Sequence, residues 1–145
     1  MLTYANSVTF KKDKTPPIEM RNFFEPEDGF IWSESKWSEI YFSFSADTTR
    51  TVKSVDFLIE LDVFKFPPEL SGQDVLFYLN GLRLASSMLT KQSTLCLNFA
   101  ASLLRPTENV LVFDTPDATK PSKLGLQDGR QLGIQLFSLQ VRPAT

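Results

Sequence analysis

The sequence predicts an all-β protein, an antiparallel β-sandwich of jelly-roll-like arrangement with at most short helical turns. In several segments apolar and polar residues alternate at period two, which is typical of half-buried strands. Two of these segments are joined by Asn80-Gly81, the dipeptide that best fits a two-residue hairpin turn. No segment carries an apolar stripe at helical spacing that is long enough for a crossover helix between parallel strands.

The length and composition fit one domain over residues 1–145. A chain of 145 residues can bury a sizeable core without disulfides or metals. Its 13 Phe and 9 Pro against 6 Gly favour aromatic strands separated by proline-bearing loops. Residues 1–24 are the least regular part and are expected to form an N-terminal arm plus an edge strand.

The first half of the chain contains two clear alternating strands. One places Ile40, Phe42 and Phe44 on one face and Tyr41, Ser43 and Ser45 on the other. The second runs from Val52 to Phe64, with five apolar residues on one face: Val55, Phe57, Ile59, Leu61 and Val63. Both strands are therefore predicted to cover the core with one side only.

The hairpin around Asn80-Gly81 is the most specific local prediction. A two-residue turn places Leu79 opposite Leu82 and Phe77 opposite Leu84, on one buried side. Tyr78 and Arg83 then lie together on the opposite face. That face is either a sugar-facing surface, which makes both residues secondary binding candidates, or an ordinary solvated face.

The second half continues the same pattern. Leu95, Leu97 and Phe99 form a strand, residues 100–104 form at most a short helical turn, and residues 110–113 form a central strand buried on both faces. The long loop 116–130 must be pinned to the domain. The last strand changes phase at Leu136-Phe137, which indicates a β-bulge. In total we expect six to nine short strands, with the first and last close together.

Composition excludes several function classes. The formal net charge is −2, so no general attraction to nucleic acid or to an anionic membrane is expected. The sequence contains no histidine, which removes Ser/His and Cys/His nucleophile systems and histidine metal sites. A leader pattern and an apolar run of about 18 residues are both missing, so we expect no membrane insertion and a cytoplasmic location.

The stretch from Gly29 to Ser38 is the main candidate for a ligand site. It carries Trp32, Glu34 and Trp37, and indole rings beside a carboxylate can stack on and hydrogen-bond to a sugar. Which indole is exposed stays open, although Trp37 begins a strand and is favoured for the core, with Trp32 and Glu34 outward. Its expected partner is the Asp128-Gly129-Arg130 turn.

Asp128 and Arg130 complete the candidate binding set. If the two segments meet at one end of the sandwich, Glu34 and Asp128 come within range of Arg130, whose planar fork suits a carboxylate. On the functional interpretation these groups bind sugar hydroxyl, ring or carboxylate oxygens. On the structural interpretation, which we favour, Arg130 ties the long loop to a strand.

An acidic turn gives a weak candidate for a calcium site. Glu25, Glu27 and Asp28 lie within four positions, and calcium prefers oxygen ligands from flexible loops. The spacing of a dedicated calcium-binding loop is missing, so an exposed acidic turn is the favoured interpretation. No other cofactor and no catalytic residue is predicted.

Three motifs together resemble a known family. They are Gly29-Phe30-Ile31-Trp32-Ser33-Glu34 with Trp37-Ser38, the Asn80-Gly81 hairpin, and Pro116-Asp117-Ala118 followed by residues 121–133, which read PSKLGLQDGRQLG. This pattern, over roughly residues 25–142, resembles a β-sandwich accessory domain at the termini of bacterial glycosyltransferases and other polysaccharide-biosynthesis proteins. The resemblance implies a non-catalytic, glycan-associated module.

The leading functional prediction is therefore a glycan-binding or glycosyltransferase-accessory module and not an enzyme. Its partner would be a glycan or a polysaccharide-biosynthesis protein. The alternative is a structural or protein-interaction domain that uses exposed strands, including to form a homodimer. A glycoside hydrolase built on Glu34 and Asp128 is the remote alternative, because such enzymes need a pair of carboxyl groups.

Overall fold

Ten β-strands form two antiparallel sheets in the computed structural model, which describes residue 2, residues 7–43 and residues 52–144. The described residues contain no α-helix, only 3-10 turns at Ala101–Leu103 and Pro121–Leu124. The strands are β1 (Ser7–Thr9), β2 (Glu19–Arg21), β3 (Ile31–Trp32), β4 (Trp37–Phe42), β5 (Ser54–Val63), β6 (Gln73–Leu79), β7 (Leu82–Leu89), β8 (Ser93–Ala100), β9 (Asn109–Asp114) and β10 (Ile134–Pro143). No helix in the described part of the chain has the length and apolar character needed to cross a membrane.

The strand order confirms the jelly-roll-like β-sandwich. The first sheet has the order β1-β10-β5-β8, with β3 also paired to β10, and the second has the order β2-β4-β9-β6-β7. Since β1 pairs with β10, the predicted closeness of the first and last strands is confirmed. The predicted count of six to nine strands is too low, because β2 and β3 have only three and two residues and are too short to alternate visibly.

The core lies between the two sheets and follows the predicted alternation. In β5 the five residues Val55, Phe57, Ile59, Leu61 and Val63 are all buried, as predicted. In β4 Ile40 and Phe42 point inward, whereas Phe44 and Ser45 lie outside the described residues. The central strand β9 is confirmed, because it lies between β4 and β6 and buries residues 111–113 on both faces.

The β6–β7 hairpin is confirmed in its turn and corrected in its register. Asn80 and Gly81 have φ values of 50° and 85°, so both turn residues adopt the left-handed conformation that this dipeptide tolerates. Leu79 pairs with Leu82, but the register shifts between Phe77 and Tyr78. Phe77 therefore faces Ala85 instead of Leu84, and Leu82 is 51% exposed instead of buried. Tyr78 and Arg83 do pair on the outer face, as predicted.

The last part of the chain contains the predicted bulge and the predicted anchors. The register of β10 against β5 shifts between Leu136 and Ser138, which explains the change of phase. In the long loop Thr119 and Leu132 exchange backbone hydrogen bonds of 3.1 and 2.8 Å. The Ser122 amide also donates to the Asp128 carbonyl at 2.7 Å. These bonds hold the loop 116–130 against the end of the sandwich.

Residues 7–24 cross from one sheet to the other. β1 lies at the edge of the first sheet and β2 at the edge of the second. Phe10 and Ile18, between them, are buried in the shared core. The irregular arm therefore contributes an edge strand to each sheet. The assignment of residues 1–145 to one domain stays a prediction.

Candidate ligand-binding surfaces

The predicted site residues do not form a single cluster. Glu34 and Arg130 border one open depression near an end of the sandwich, and Asp128 pairs with Arg130 there. Trp37, Tyr78 and Arg83 lie on the outer face of the second sheet. Trp32 belongs to β3, which pairs with β10 in the first sheet.

The Trp-bearing stretch meets the last strand through Ser33. The Ser33 amide donates to the Ile134 carbonyl at 2.9 Å, and the Ile134 amide donates to Ser33 Oγ at 2.9 Å. The Thr115 amide donates to the Lys36 carbonyl at 2.7 Å. The predicted junction therefore exists, but its other half is Thr115 with Gly133 and Ile134 instead of Asp128-Gly129-Arg130. Its contacts are backbone and hydroxyl groups that hold the sandwich end together.

The guanidinium of Arg130 pairs with two nearby carboxylates, those of Asp128 and Glu27. Its Nε lies 3.1 Å from both Asp128 carboxylate oxygens and its Nη2 donates to Asp128 Oδ2 at 2.7 Å, while Nη1 lies 3.9 Å from Glu27. The guanidinium also covers the Phe24 ring, 5.2 Å from its centre. The hydrogen bond from Arg130 lowers the pKa of Asp128. The structural interpretation of Arg130, as an anchor of the loop, fits this arrangement.

Glu34 does not join that ion pair. It is exposed and borders an open depression of about 450 Å³ together with Lys120 and Arg130. Among the ion pairs of the described residues, the second carboxylate on Arg130 comes from Glu27 and not from Glu34. The lowered pKa of Asp128 is also opposite to what a general acid requires. Asp128 therefore does not fit the general-acid role in such a pair.

The acidic turn spreads its carboxylates in different directions. Glu27 pairs with Arg130 at 3.9 Å, Asp28 Oδ1 accepts from the Lys12 amide at 3.1 Å, and Glu25 is exposed. In the part of the chain that the structure describes, no group of three acidic or sulfur-bearing side chains is placed to hold a metal ion. The turn thus provides anchors for Arg130 and Lys12, and its use as a calcium site stays a prediction.

Trp32 is half-buried against other aromatic rings. Its indole meets the Phe30 ring edge-on, with centres 6.4 Å apart and planes at 82°. Phe30 in turn packs on Phe137 at 6.2 Å. Across the strand pair Trp32 faces Gln135 of β10. One edge of this indole is therefore used in packing at the end of the first sheet.

Trp37, which was favoured for the core, is 45% exposed. The favoured placement is wrong because of the parity of β4: Ser38, Ile40 and Phe42 point inward, so Trp37 shares the outer side with Glu39 and Tyr41. The indole packs against the Tyr78 ring, with centres 5.7 Å apart and planes at 34°. Two rings that are far apart in the sequence thus form one aromatic surface.

A straight row of side chains crosses the whole second sheet at this surface. Register pairs link Arg21 on β2, Glu39 on β4, Val112 on β9, Tyr78 on β6 and Arg83 on β7. Trp37 lies beside this row and pairs with Asp114. We call this outer surface of the second sheet the Trp37–Tyr78 face; its members are Arg21, Trp37, Glu39, Tyr41, Leu76, Tyr78, Arg83, Val110, Val112 and Asp114.

The arginines at the two ends of the row, Arg21 and Arg83, differ in their interaction partners. At the β2 end Arg21 lies over the Tyr41 ring at 4.3 Å and donates to Glu19 at 3.0 Å. The Tyr41 hydroxyl donates to Glu39, and this bond raises the pKa of Tyr41. At the β7 end the Arg83 side chain has no ion pair or hydrogen bond with any described residue. Among the described residues, Arg83 is therefore a cation without a partner, and it lies opposite Tyr78.

Sequence reasoning did not propose four polar members of this face as site residues: Arg21, Glu39, Tyr41 and Asp114. The alternation of Ile40 and Phe42 already places Glu39 and Tyr41 on the outer side of β4. No local pattern identifies Arg21, because β2 has only three residues and its pairing with β4 is a tertiary contact. Parity along β4 is thus the signal that predicts the β4 members of the face, including Trp37.

No protein-family model and no curated protein matches this sequence. Solved structures do match. One is the CBM22-1 xylan-binding domain from Paenibacillus barcinonensis Xyn10C, with a TM-score of 0.56 and 13% identity over 95% of this chain and 92% of that chain.

A second match is BtGH115A, a family GH115 4-O-methyl-α-glucuronidase with specificity for decorated arabinogalactans. It has a TM-score of 0.55 and 12% identity over 99% of this chain, and the match covers 18% of that chain. At these identities both likenesses establish the β-sandwich fold. The glycosyltransferase setting implied by the motifs stays a prediction.

Proposed function

We propose that this protein is a non-catalytic carbohydrate-binding domain that holds a glycan on the Trp37–Tyr78 face. The observation that carries the proposal is the indole of Trp37, 45% exposed and packed at 5.7 Å on Tyr78. Pyranose rings have an apolar C–H side that packs on aromatic rings and a hydroxyl rim that needs donors and acceptors. Glu39, Tyr41 and Asp114 supply polar groups beside the rings.

The shape of the face suits an extended ligand. The row from Arg21 to Arg83 crosses five strands, a span of about 19 Å at the usual strand spacing. Tyr78 lies within the row with Trp37 beside it, and an arginine stands at each end. A glycan lying across the strands would therefore contact several groups at once. The likeness in fold to a xylan-binding domain supports this choice of ligand class.

The end of the sandwich is a weaker candidate. Arg130 is neutralised by Asp128 and Glu27, so a sugar would have to displace a fork of short hydrogen bonds. Trp32 uses one ring edge against Phe30. Trp32 and Glu34 remain a second surface whose contribution can be measured with the same ligands.

The binding experiment compares matched variants. Affinity electrophoresis in gels containing soluble xylan or arabinogalactan, followed by titration calorimetry, measures binding by wild type, Trp37→Ala and Tyr78→Ala. We expect a loss of about tenfold or more in affinity for each variant, because one stacked ring contributes on the order of 1 kcal/mol beyond its buried area. Leu82→Ala removes a 51% exposed apolar side chain elsewhere on the same sheet and serves as the control.

Two results would contradict this assignment. Unchanged affinity in Trp37→Ala, with unfolding curves equal to wild type, would exclude the Trp37–Tyr78 face. A loss confined to Glu34→Ala or Trp32→Ala would move the site to the end of the sandwich. Incubation with the same polysaccharides should release no reducing ends, because a non-catalytic binding domain leaves the polymer intact. Their release would contradict the non-catalytic part of the proposal.

An interaction through strand edges is the second candidate, and β7 favours it. This eight-residue strand lies at the edge of the second sheet, contains neither Lys nor Pro, and exposes Met88 by 57%. A second copy could pair with it to form a homodimer. Light scattering across a concentration series measures the mass, and Met88→Lys should abolish any dimer that forms by this edge.

A further inference from the structure

We infer that the glycan held by the Trp37–Tyr78 face is anionic, with a carboxylate or sulfate group paired to Arg83. This inference rests on the proposed function and names its ligand class. It starts from the position of Arg83 directly across from Tyr78 on the outer side of β7. A sugar stacked on the two rings places its neighbour along the chain beside this guanidinium.

Arg83 differs from the other arginines on the sheets. Arg21 lies 3.0 Å from Glu19 and Arg142 lies 3.8 Å from Asp56. Within the described ranges Arg83 has no such carboxylate, although it is exposed on the face. Its planar fork of donors is free to bind two oxygens of a carboxylate or sulfate at once.

Glu39, Asp114 and Asp74 are too distant to neutralise Arg83, and Asp74 is four positions along β6 from Tyr78, the residue opposite Arg83. Glu39 lies three strands away in the same row, about 14 Å at the usual strand spacing, and its carboxylate accepts from Tyr41. Asp114 lies two strands away and about two residues along, roughly 12 Å. These separations exceed the screening length of about 8–10 Å at physiological salt.

The charge along the face therefore changes from negative near Trp37 to positive near Arg83. Asp114 stands beside Trp37 and disfavours an anion there, whereas Arg83 favours one at the other side of Tyr78. The uncharged C–H side of a sugar ring packs on Trp37 and Tyr78, and the anionic substituent lies beside Arg83 at the β7 edge. This arrangement selects both the class of glycan and the direction in which it lies.

The test uses polymers with one backbone and different charges: glucuronoxylan, its carboxyl-reduced form and a chemically sulfated xylan. Wild type should bind glucuronoxylan about three- to tenfold tighter than the carboxyl-reduced form, the range expected for one charge-assisted pair at a surface. Arg83→Gln should lose this preference, so that its affinities for the charged and the carboxyl-reduced polymer become equal. Arg142→Gln, on the other sheet, should behave as wild type. Raising the salt concentration should shrink the preference.

The possible results distinguish the inference of an anionic ligand from the proposed glycan-binding function on which it rests. A similar gain with the sulfated polymer, also lost in Arg83→Gln, supports a general anion contact, whereas a gain confined to glucuronoxylan supports a uronate. Equal affinity for charged and neutral polymers, or a preference that survives in Arg83→Gln, overturns the anionic inference and leaves the proposed function standing. Absence of binding to all three polymers overturns both.

Discussion

The hydroxyl oxygen of Ser33 accepts a 2.9 Å hydrogen bond from the amide of Ile134, 101 positions later in the chain. The Ser33 amide returns a bond to the Ile134 carbonyl, and both residues are fully buried. This exchange fixes the Trp-bearing stretch to the start of β10.

Two buried serines in this stretch should respond oppositely to loss of their hydroxyls. Ser33→Ala should lower the free energy of unfolding by about 1–3 kcal/mol, because it leaves the buried Ile134 amide without its partner. Ser38 is equally buried, but its Oγ has no hydrogen-bond partner among the described residues. Ser38→Ala should therefore be neutral or stabilising.

Urea unfolding followed by tryptophan fluorescence measures both serine variants under the same conditions. The decisive result is a lower free energy of unfolding for Ser33→Ala than for Ser38→Ala. Equal losses of stability in Ser33→Ala and Ser38→Ala would contradict the assigned role of the Ser33 hydroxyl.

Gly133 should not tolerate a side chain. A methyl group there would lie 2.6 Å from Thr115 Oγ1 and 2.9 Å from Ser33 Oγ, so the junction would have to open. Gly133→Ala should destabilise the protein by about 1–3 kcal/mol, the usual range for overpacking a close contact. The control is Gly129→Ala, since nothing lies within 4 Å of an added methyl group at that position. Thermal unfolding of the pair would contradict the prediction if both variants melted alike.

Asn80 combines a left-handed backbone with three side-chain hydrogen bonds. Its Nδ2 donates to the Leu103 carbonyl at 3.0 Å and to Asn109 Oδ1 at 2.9 Å, while its Oδ1 accepts from the Val110 amide at 2.9 Å. Asn80→Gly keeps the backbone freedom and should lose about 1–3 kcal/mol through the broken bonds. Asn80→Ala should lose roughly 1 kcal/mol more, because φ is 50° there. Equal stabilities for the two variants would show that the backbone conformation contributes nothing.

Asp128 should make stability depend on pH in acid. Its pKa is lowered from 3.8 by the hydrogen bond from Arg130, so the stabilisation is present above the ordinary value and is lost as the pH falls through the lowered one. At pH 7 Asp128→Asn should lose about 0.5–1 kcal/mol, the range for a partly exposed ion pair. The difference from wild type should shrink below about pH 4. Urea unfolding at pH 7, 4 and 3 measures it, and a difference that stays constant with pH would contradict this role.

Local pattern predicted most of the fold because strand alternation and turn chemistry are local properties. The inward set from Val55 to Val63, the Asn80-Gly81 turn and the change of phase at Leu136-Phe137 all appear in the structure. The sequence pattern did not predict the β-bulge in β7, because one extra residue in a strand leaves its composition unchanged. The bulge at Leu84 of β7 places Ala85 opposite Phe77, and Leu82 is 51% exposed although it pairs with Leu79 as predicted. Such a shift depends on cross-strand packing, which a single strand does not encode.

The sequence by itself determined the residue types available for a site: two indoles, a tyrosine, arginines and carboxylates at known positions along strands and loops. The tertiary structure decided how they are combined. It paired Arg130 with Asp128 and Glu27 and left Arg83 free, and it brought Trp37 of β4 beside Tyr78 of β6. The physical reason is that a residue's neighbours on a sheet face come from strand order and register. Those are fixed by long-range pairs such as Ser33 with Ile134, and local periodicity carries no information about them.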